Sequence, residues 1–492
     1  MASLSSLAKD TAIYGLSSIV GRFLNYLLVP LYTTVLAASS GDYGIVTEVY
    51  SYTALLLVIL TFGMETTFFR FVNKTGNDPM RVYSTTLIAV GCVGALFVMA
   101  VLAFSDAITA FLHYGGHTEY VQMMALCVAV DAFLCIPFAY LRYKKRPLKF
   151  AALKLLNIAL NIVLNLVFFL LLPRLVDGFE IRVGYVFAIN LFCTLVTVPL
   201  LWKELTGFRW VFDRELMRPM WRYAWPILVL GIAGILNQTA DKLIFRHLVP
   251  GDEGKVQLGI YGACVKIAMI MAMITQAFRY AYEPFVFGKD KEKDKDDNRR
   301  TYAQAMKYFI IFTLLAFLVV VGYLDVLKYI IHRGYWAGLR VVPIVMVAEI
   351  MMGIYFNLSF WYKLIDRTVW GAWFSGAGCL VLILVNVVFV PRYGYMACAW
   401  AGVAGYGTAM LLSYFVGQRK YPIAYPLKSI AAYVLIAALF TAIMLVLPKD
   451  WPVWLRLAAN TGLILLFVGH IVYHDFPLHQ LPVVGRYFRK RN

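Results

Sequence analysis

Apolar runs constrain this chain more than any other feature. About 20 residues at ~1.5 Å each cross the hydrocarbon of a bilayer, and stretch after stretch here reaches that length almost free of charge. About fourteen such runs stand near 11–36, 45–69, 83–104, 119–141, 150–172, 183–202, 224–247, 257–287, 302–327, 339–362, 369–390, 395–416, 427–447 and 454–473. The spacing predicts an all-α polytopic membrane protein of about 14 transmembrane helices joined by short connections. Composition agrees: 61% of the 492 residues are hydrophobic, 15% are charged, and the mean hydropathy is +0.72. The first run carries Arg22 and Asn25 and is too long for a signal-peptide core, so it reads as an uncleaved first helix.

The net charge of +18 would suit a nucleic-acid partner if the basic residues were clustered on a soluble face. They fall instead in short groups between the apolar runs. With the N-terminus inside, about 30 Lys and Arg lie in inside loops against about 9 outside, a bias that sets orientation. RYKKRPLK (142–149), Lys203–Arg222, Lys289–Lys307 and the RYFRKRN tail dominate the inside set. Both termini are then cytoplasmic, and no nucleic-acid partner is expected. The seven cysteines all fall in expected spans without a CxxC, which suits small buried residues better than a metal or disulfide set.

Charge inside the spans is the second constraint. An ionisable side chain near mid-membrane costs roughly 2.5–3.5 kcal/mol on insertion scales, so it faces a bundle interior or a wet cavity. Trp225–Lys266 holds Asn237, Gln238, Asp241 and Lys242 within one span and Lys266 within the next. Arg22, Asp131 and Glu349 lie near the middle of spans 1, 4 and 10, too deep for snorkelling. Lys154 is about one turn inside span 5, where snorkelling explains it. Glu65, Arg279 and Glu283 lie nearer the cytoplasmic ends, and an interfacial carboxylate near loop arginines is the plainer reading of the two glutamates. Neighbours on a helix point about 100° apart, so Asp241 and Lys242 are not expected to face one way. One lines a cavity while the other pairs with a neighbour such as Lys266.

The chain repeats at an offset of 218 residues. Tyr43–Gly44 falls on Tyr261–Gly262, Glu65 on Glu283, Asp131 on Glu349, Lys145 on Lys363, and Pro173–Arg174 on Pro391–Arg392. Six spans per repeat is an even number, so both copies enter the membrane in the same direction. Such a parallel repeat has a pseudo-two-fold axis along the membrane normal, with a site expected between the lobes. The expected division is an N-lobe at 1–202, a cytoplasmic interfacial linker at 203–223, a C-lobe at 224–420, and two further spans with a basic tail at 421–492.

Other motifs carry little. Asp294–Lys295–Asp296 is formally the DxD of metal-dependent glycosyltransferases, but it sits in the mixed charge run KDKEKDKDDNRR (289–300) with no room for a nucleotide-binding domain. His470 and His474 are four apart on the last span and lack further metal ligands. No GxxxxGK[ST] phosphate loop occurs, so nucleotide drive is not encoded.

Two lobes of six spans plus two extra helices resemble the multidrug/oligosaccharidyl-lipid/polysaccharide (MOP) exporter superfamily. Gly21–Arg22, Pro30–Leu31–Tyr32 and Asp42–Tyr43–Gly44 resemble its polysaccharide-transporter branch, the Wzx-type O-antigen and capsule flippases, as do Asn237, Asp241–Lys242 and Gly259–Ile260–Tyr261–Gly262. The resemblance implies movement of an undecaprenyl-diphosphate-linked oligosaccharide across a bacterial inner membrane, without enzymatic activity. Cation-coupled drug exporters and peptidoglycan-precursor flippases share the scaffold and stand as the alternatives. The partners implied are the lipid-linked diphosphate sugar, membrane lipids, and polysaccharide polymerase or glycosyltransferase machinery. No cofactor is expected beyond a coupling H⁺ or Na⁺. Arg22, Lys242, Lys266 and Arg279 are the expected diphosphate-facing residues. Asp131, Glu349, Asp241, Glu65 and Glu283 are the candidate ion-coupling carboxylates.

Overall fold

The computed structural model describes residues 24 and 26–475, except 75, 207, 290–294, 366 and 449; the side chains of 280, 281, 283–289 and 295–297 are outside that description. Every element among the described residues is helical. The long helices are α1 (Leu28–Val35), α2 (Asp42–Thr61), α3 (Met64–Val72), α4 (Pro79–Ala103), α5 (Thr118–Tyr143), α6 (Pro147–Leu166), α7 (Gly184–Leu200) and α8 (Arg214–Leu248). They continue with α9 (Asp252–Lys289), α10 (Lys295–Gly322), α11 (Val341–Leu358), α12 (Val369–Tyr393), α13 (Tyr395–Lys420), α14 (Leu427–Val446) and α15 (Val453–His474). Twelve segments are long and apolar enough to cross a membrane, and α7 is a shorter apolar helix of the same kind. Most of the first expected span lies outside the described residues; α1 is its far end. The protein is therefore a multi-pass, all-α membrane protein with about the fourteen spans its sequence called for.

Local sequence explains where helices start and break. Asp78 caps α4 by accepting from the Met80 N–H at 3.1 Å, with Pro79 at the first helical position. Asp213 caps α8 in the same way, accepting from the Leu216 N–H at 3.0 Å. The second span is broken between α2 and α3, where Phe62 and Gly63 take φ of 33° and 71°. Glycine serves at 63 for a second reason, since a Cβ there would come within 3.0 Å of the Ile227 side chain on α8.

The chain divides into two compact units, Met1–Ala263 with Leu382–Tyr395, and Cys264–Val381 with Met396–Asn492. In the first, α5 is the central helix and the most deeply buried of the described spans, packed by α2, α4 and α7. Phe68, Tyr83, Val128 and Ile136 fill that core. In the second, α10 packs on α11, α14 and α15, and Tyr355, Trp361, Tyr362 and Phe374 form an aromatic core. Segments Pro147–Leu175 and Leu427–Val446 are mostly exposed; Val163, Leu170, Leu435 and Leu445 point outward, as lipid-facing side chains should.

Candidate functional site

Three of the polar clusters among the described residues of the first unit bear on the expected site. The first is on α8 and the early part of α9. Lys242 Nζ lies 3.0 Å from both carboxylate oxygens of Asp241 and donates to the Gln238 carbonyl at 3.0 Å. The Tyr261 hydroxyl donates to Asp241 Oδ2 at 2.6 Å. Adjacent Cα–Cβ bonds do diverge on the helix, but the four-carbon lysine stem folds back and closes the pair. This corrects the expectation that one of the two would face away from the other. Asp241 is 7% exposed, so the pair is drawn almost wholly into the protein. Asn237, one turn earlier, is buried and donates to its own helix at the Ala233 carbonyl.

The second cluster surrounds Asp131, half-buried at the middle of α5. Thr194 Oγ1 on α7 donates to Asp131 Oδ1 at 3.1 Å, and the Cys127 thiol lies 3.9 Å from Oδ2. Lys154 on α6 sets a positive charge toward the same carboxylate, its ammonium 4.2 Å over the Phe138 ring. A carboxylate held by one hydroxyl and one thiol inside a helix bundle is suited to alternate between charged and protonated forms.

The third cluster escaped the sequence reading. Glu48 on α2 and Arg246 on α8 form an ion pair of 2.6 Å with side chains only 1% and 3% exposed. Arg246 also donates to the His113 carbonyl at 2.9 Å and stands 5.4 Å over the Tyr114 ring. Burial pushes the Tyr114 hydroxyl far above its ordinary value, with the Glu48 charge adding to the effect, so it remains an O–H donor at all ordinary pH. Each partner is within about two turns of its helix end, which in sequence looks like an interfacial residue; only the fold brings them together. Beside this pair α2 and α9 cross at glycines: a Cβ on Gly44 would fall 2.1 Å from the Lys255 carbonyl oxygen, and one on Gly259 would fall 3.0 Å from the Gly44 nitrogen. Half of the repeated Tyr-Gly motif is therefore a backbone crossing.

The remaining expected residues are dispersed. Glu65 on α3 pairs with Arg142 in the last turn of α5, whose guanidinium also lies 4.9 Å from the Phe69 ring. In the second unit, Lys266 and Glu349 are half-buried on α9 and α11, and the Arg279 guanidinium rests 4.9 Å over Phe356. Arg22 and the Glu283 side chain lie outside the described residues. No group of three His, Cys, Asp or Glu among the described residues is placed to hold a metal ion, and His470 packs against His474 and Tyr433.

The family model of the polysaccharide biosynthesis protein matches residues 7–281. No curated protein matches the sequence. Among solved structures, the lipid II flippase MurJ in an inward closed conformation superposes with TM-score 0.73 at 12% identity, over 94% of this chain and 98% of that one. An inward-facing multidrug resistance MATE transporter of the MOP superfamily follows at TM-score 0.64 and 14% identity, over 83% and 94%. The MATE multidrug transporter DinF-BH gives TM-score 0.59 at 14% identity, over 84% and 96%. The chain thus has the fold of MOP-superfamily transporters and belongs to the polysaccharide biosynthesis protein family.

Proposed function

We propose that this protein is a flippase that carries a lipid-diphosphate-linked oligosaccharide from the cytoplasmic to the outer leaflet of a bacterial inner membrane. The observation that carries this reading is the family match over 7–281, the half of the chain that holds both the Asp131 cluster and the Asp241–Lys242–Tyr261 cluster. A diphosphate with a polar sugar cannot enter hydrocarbon unaided, and cations held inside the helices offset its dehydration. Lys242 is the first such group; Arg22, Lys266 and Arg279 are assigned the same task along the route. Lys242 reaches the anion by exchanging its Asp241 partner for phosphate oxygens, while Tyr261 keeps Asp241 oriented.

The lipid tail stays in the bilayer as the head crosses. The MurJ neighbour is a lipid II flippase, which supports a lipid-linked cargo, and the conformations named for the MurJ and MATE neighbours fit alternating access. Coupling is assigned to carboxylates, with Asp131 first and Glu349, Asp241, Glu65 and Glu283 as further candidates for H⁺ or Na⁺. In this reading the basic loops face the cytoplasm, and with them RYKKRPLK and both termini, as the positive-inside bias supports.

The test is complementation of a bacterium deleted for its own O-antigen or capsule flippase, with lipid-linked repeat units assayed in each leaflet. Restored outer-leaflet units, lost in Lys242→Met and in Arg22→Ala, are the expected result. Export of cationic dyes with no sugar movement would replace this reading with the drug-exporter one.

A further inference from the structure

Three asparagines recur at four-residue spacing on α6: Asn157, Asn161 and Asn165. That spacing stacks their amides on one face, and the face is turned into the first unit rather than toward lipid. Asn157 Nδ2 donates to the Cys193 carbonyl at 3.0 Å and to Thr197 Oγ1 at 3.1 Å, and the Cys193 thiol meets the Asn161 side chain. Asn165 is wholly buried; its Nδ2 donates to Asn161 Oδ1 at 3.1 Å and its Oδ1 accepts from the Tyr32 hydroxyl at 2.8 Å. Tyr32 is about one turn from the largely exposed loop 37–40, on the side opposite the basic loops. Just beyond Asn165 the helix relaxes into a π-helical turn at Val167–Leu171, a distortion that recurs at functional sites.

The two sides of Asp131 differ. Toward Tyr32 lie Thr194, Cys127, Cys193, Asn161 and Asn165. Toward the basic loops, α5, α6 and α7 close on an apolar plug of Leu134, Phe138, Leu141, Phe150, Leu153 and Leu201, each 8% exposed or less, with the Asn157–Thr197 hydrogen bond between it and the carboxylate and the Lys154 ammonium 4.2 Å over the Phe138 ring. The titratable groups around the carboxylate are Lys154 from α6, Cys127 and Cys135 from its own helix, Cys193 from α7 and Tyr50 from α2, with Arg142 beyond Lys154.

We propose that Asp131 exchanges protons with the side of the membrane opposite the basic loops, along the strip Thr194–Cys193–Asn161–Asn165–Tyr32, and is screened from the basic side by the plug around Phe138. In each exchange one O–H bond forms at the Asp131 carboxylate as one is lost by water at the far end; no electron moves. The proposal rests on the coupling role and the orientation given above. It adds the side of access: in the conformation described, Asp131 takes up and gives back its proton on the side opposite the basic loops.

The experiment uses full-length protein in right-side-out and inverted membrane vesicles, with inner and outer pH set independently. Dicyclohexylcarbodiimide, which crosses membranes and reacts with protonated buried carboxyls, is the probe, and peptide mass spectrometry reads labelling at Asp131. Asp131→Asn verifies the labelled peptide. Raising the pH on the Tyr32 side is expected to lower labelling at least about ten-fold, while the same change on the basic side leaves it unaltered. Tyr32→Phe, which keeps the ring against Phe169, and Asn165→Leu should each slow that response at least about ten-fold. Phe138→Ser should let the basic side act as well. Labelling that follows the basic side, ignores both sides, or keeps its wild-type response in Tyr32→Phe overturns the proposal. If Asn165→Leu fails to accumulate as a monodisperse protein, Tyr32→Phe decides. No sugar is used, so the labelling can fail while complementation succeeds, and the reverse.

Discussion

The Glu48–Arg246 pair makes a sharp prediction about stability. At 2.6 Å and an effective dielectric of ~20 the gross attraction is roughly 6 kcal/mol, most of which desolvation of the two ions consumes. Removing one partner is a different matter, because the other stays buried. In Glu48→Leu the guanidinium keeps the His113 carbonyl and the Tyr114 ring with Asp252 farther off, and in Arg246→Met the carboxylate keeps Tyr114 with Lys255 farther off. Each single variant is therefore expected to lose ~3–5 kcal/mol. The double variant Glu48→Leu/Arg246→Met replaces both ions with apolar groups of similar size and should be more stable than either single by at least about 3 kcal/mol. A thiol-reactive fluorogenic dye can follow unfolding in detergent, since Cys127, Cys193, Cys264, Cys379 and Cys398 are buried thiols, while Cys92 is exposed and sets the baseline. Additive losses in the double variant, or a silent Glu48→Leu, would refute the reasoning.

Other substitutions follow from the same geometry. Gly44→Ala sets a methyl group 2.1 Å from the Lys255 carbonyl and should cost ~1–3 kcal/mol, more than Gly259→Ala with its nearest atom at 3.0 Å; thermal unfolding gives the order. Asp213→Ala removes the α8 cap and should cost ~0.5–2 kcal/mol, whereas Arg81→Ala, whose side chain is 62% exposed at 3.6 Å from Asp213, should change the unfolding temperature little. Tyr261→Phe strips a 2.6 Å hydrogen bond from the buried Asp241 carboxylate, an expected ~1.5–3 kcal/mol, and should impair sugar transfer in the complementation assay without changing protein abundance in the membrane as much as Asp241→Leu does.

What sequence made legible was the part governed by local chemistry. Run length gave the helices, because hydrocarbon leaves the backbone no other partner. The caps at Asp78 and Asp213 are side chain to nearby N–H, and such signals are local by nature. The isolated depth of Asp131 and Asp241 marked them as unusual, since a charge that far from either interface needs a partner the apolar run does not supply. Their partners were legible only in part. Lys242 was written next to Asp241, but its return to that neighbour depends on side-chain reach. Thr194 and Tyr261 reach their carboxylates across helix packing that periodicity does not encode. Glu48 and Arg246 are 198 residues apart, each towards a helix end where a charge is unremarkable. The asparagine spacing on α6 was visible in the sequence, but amides carry no charge and did not disturb its apolar run.

That last fact has a consequence for how the protein is made. The segment that bears the asparagine strip, Pro147–Leu175, is still as apolar as any span among the described residues. It therefore enters the bilayer on its own merits, with its amides briefly facing lipid. Those amides then reward docking onto α7 and Tyr32, and a wrongly rotated α6 would leave three of them in hydrocarbon. Biogenesis is thus split in time: the apolar face of α6 drives insertion, and its polar face proofreads assembly.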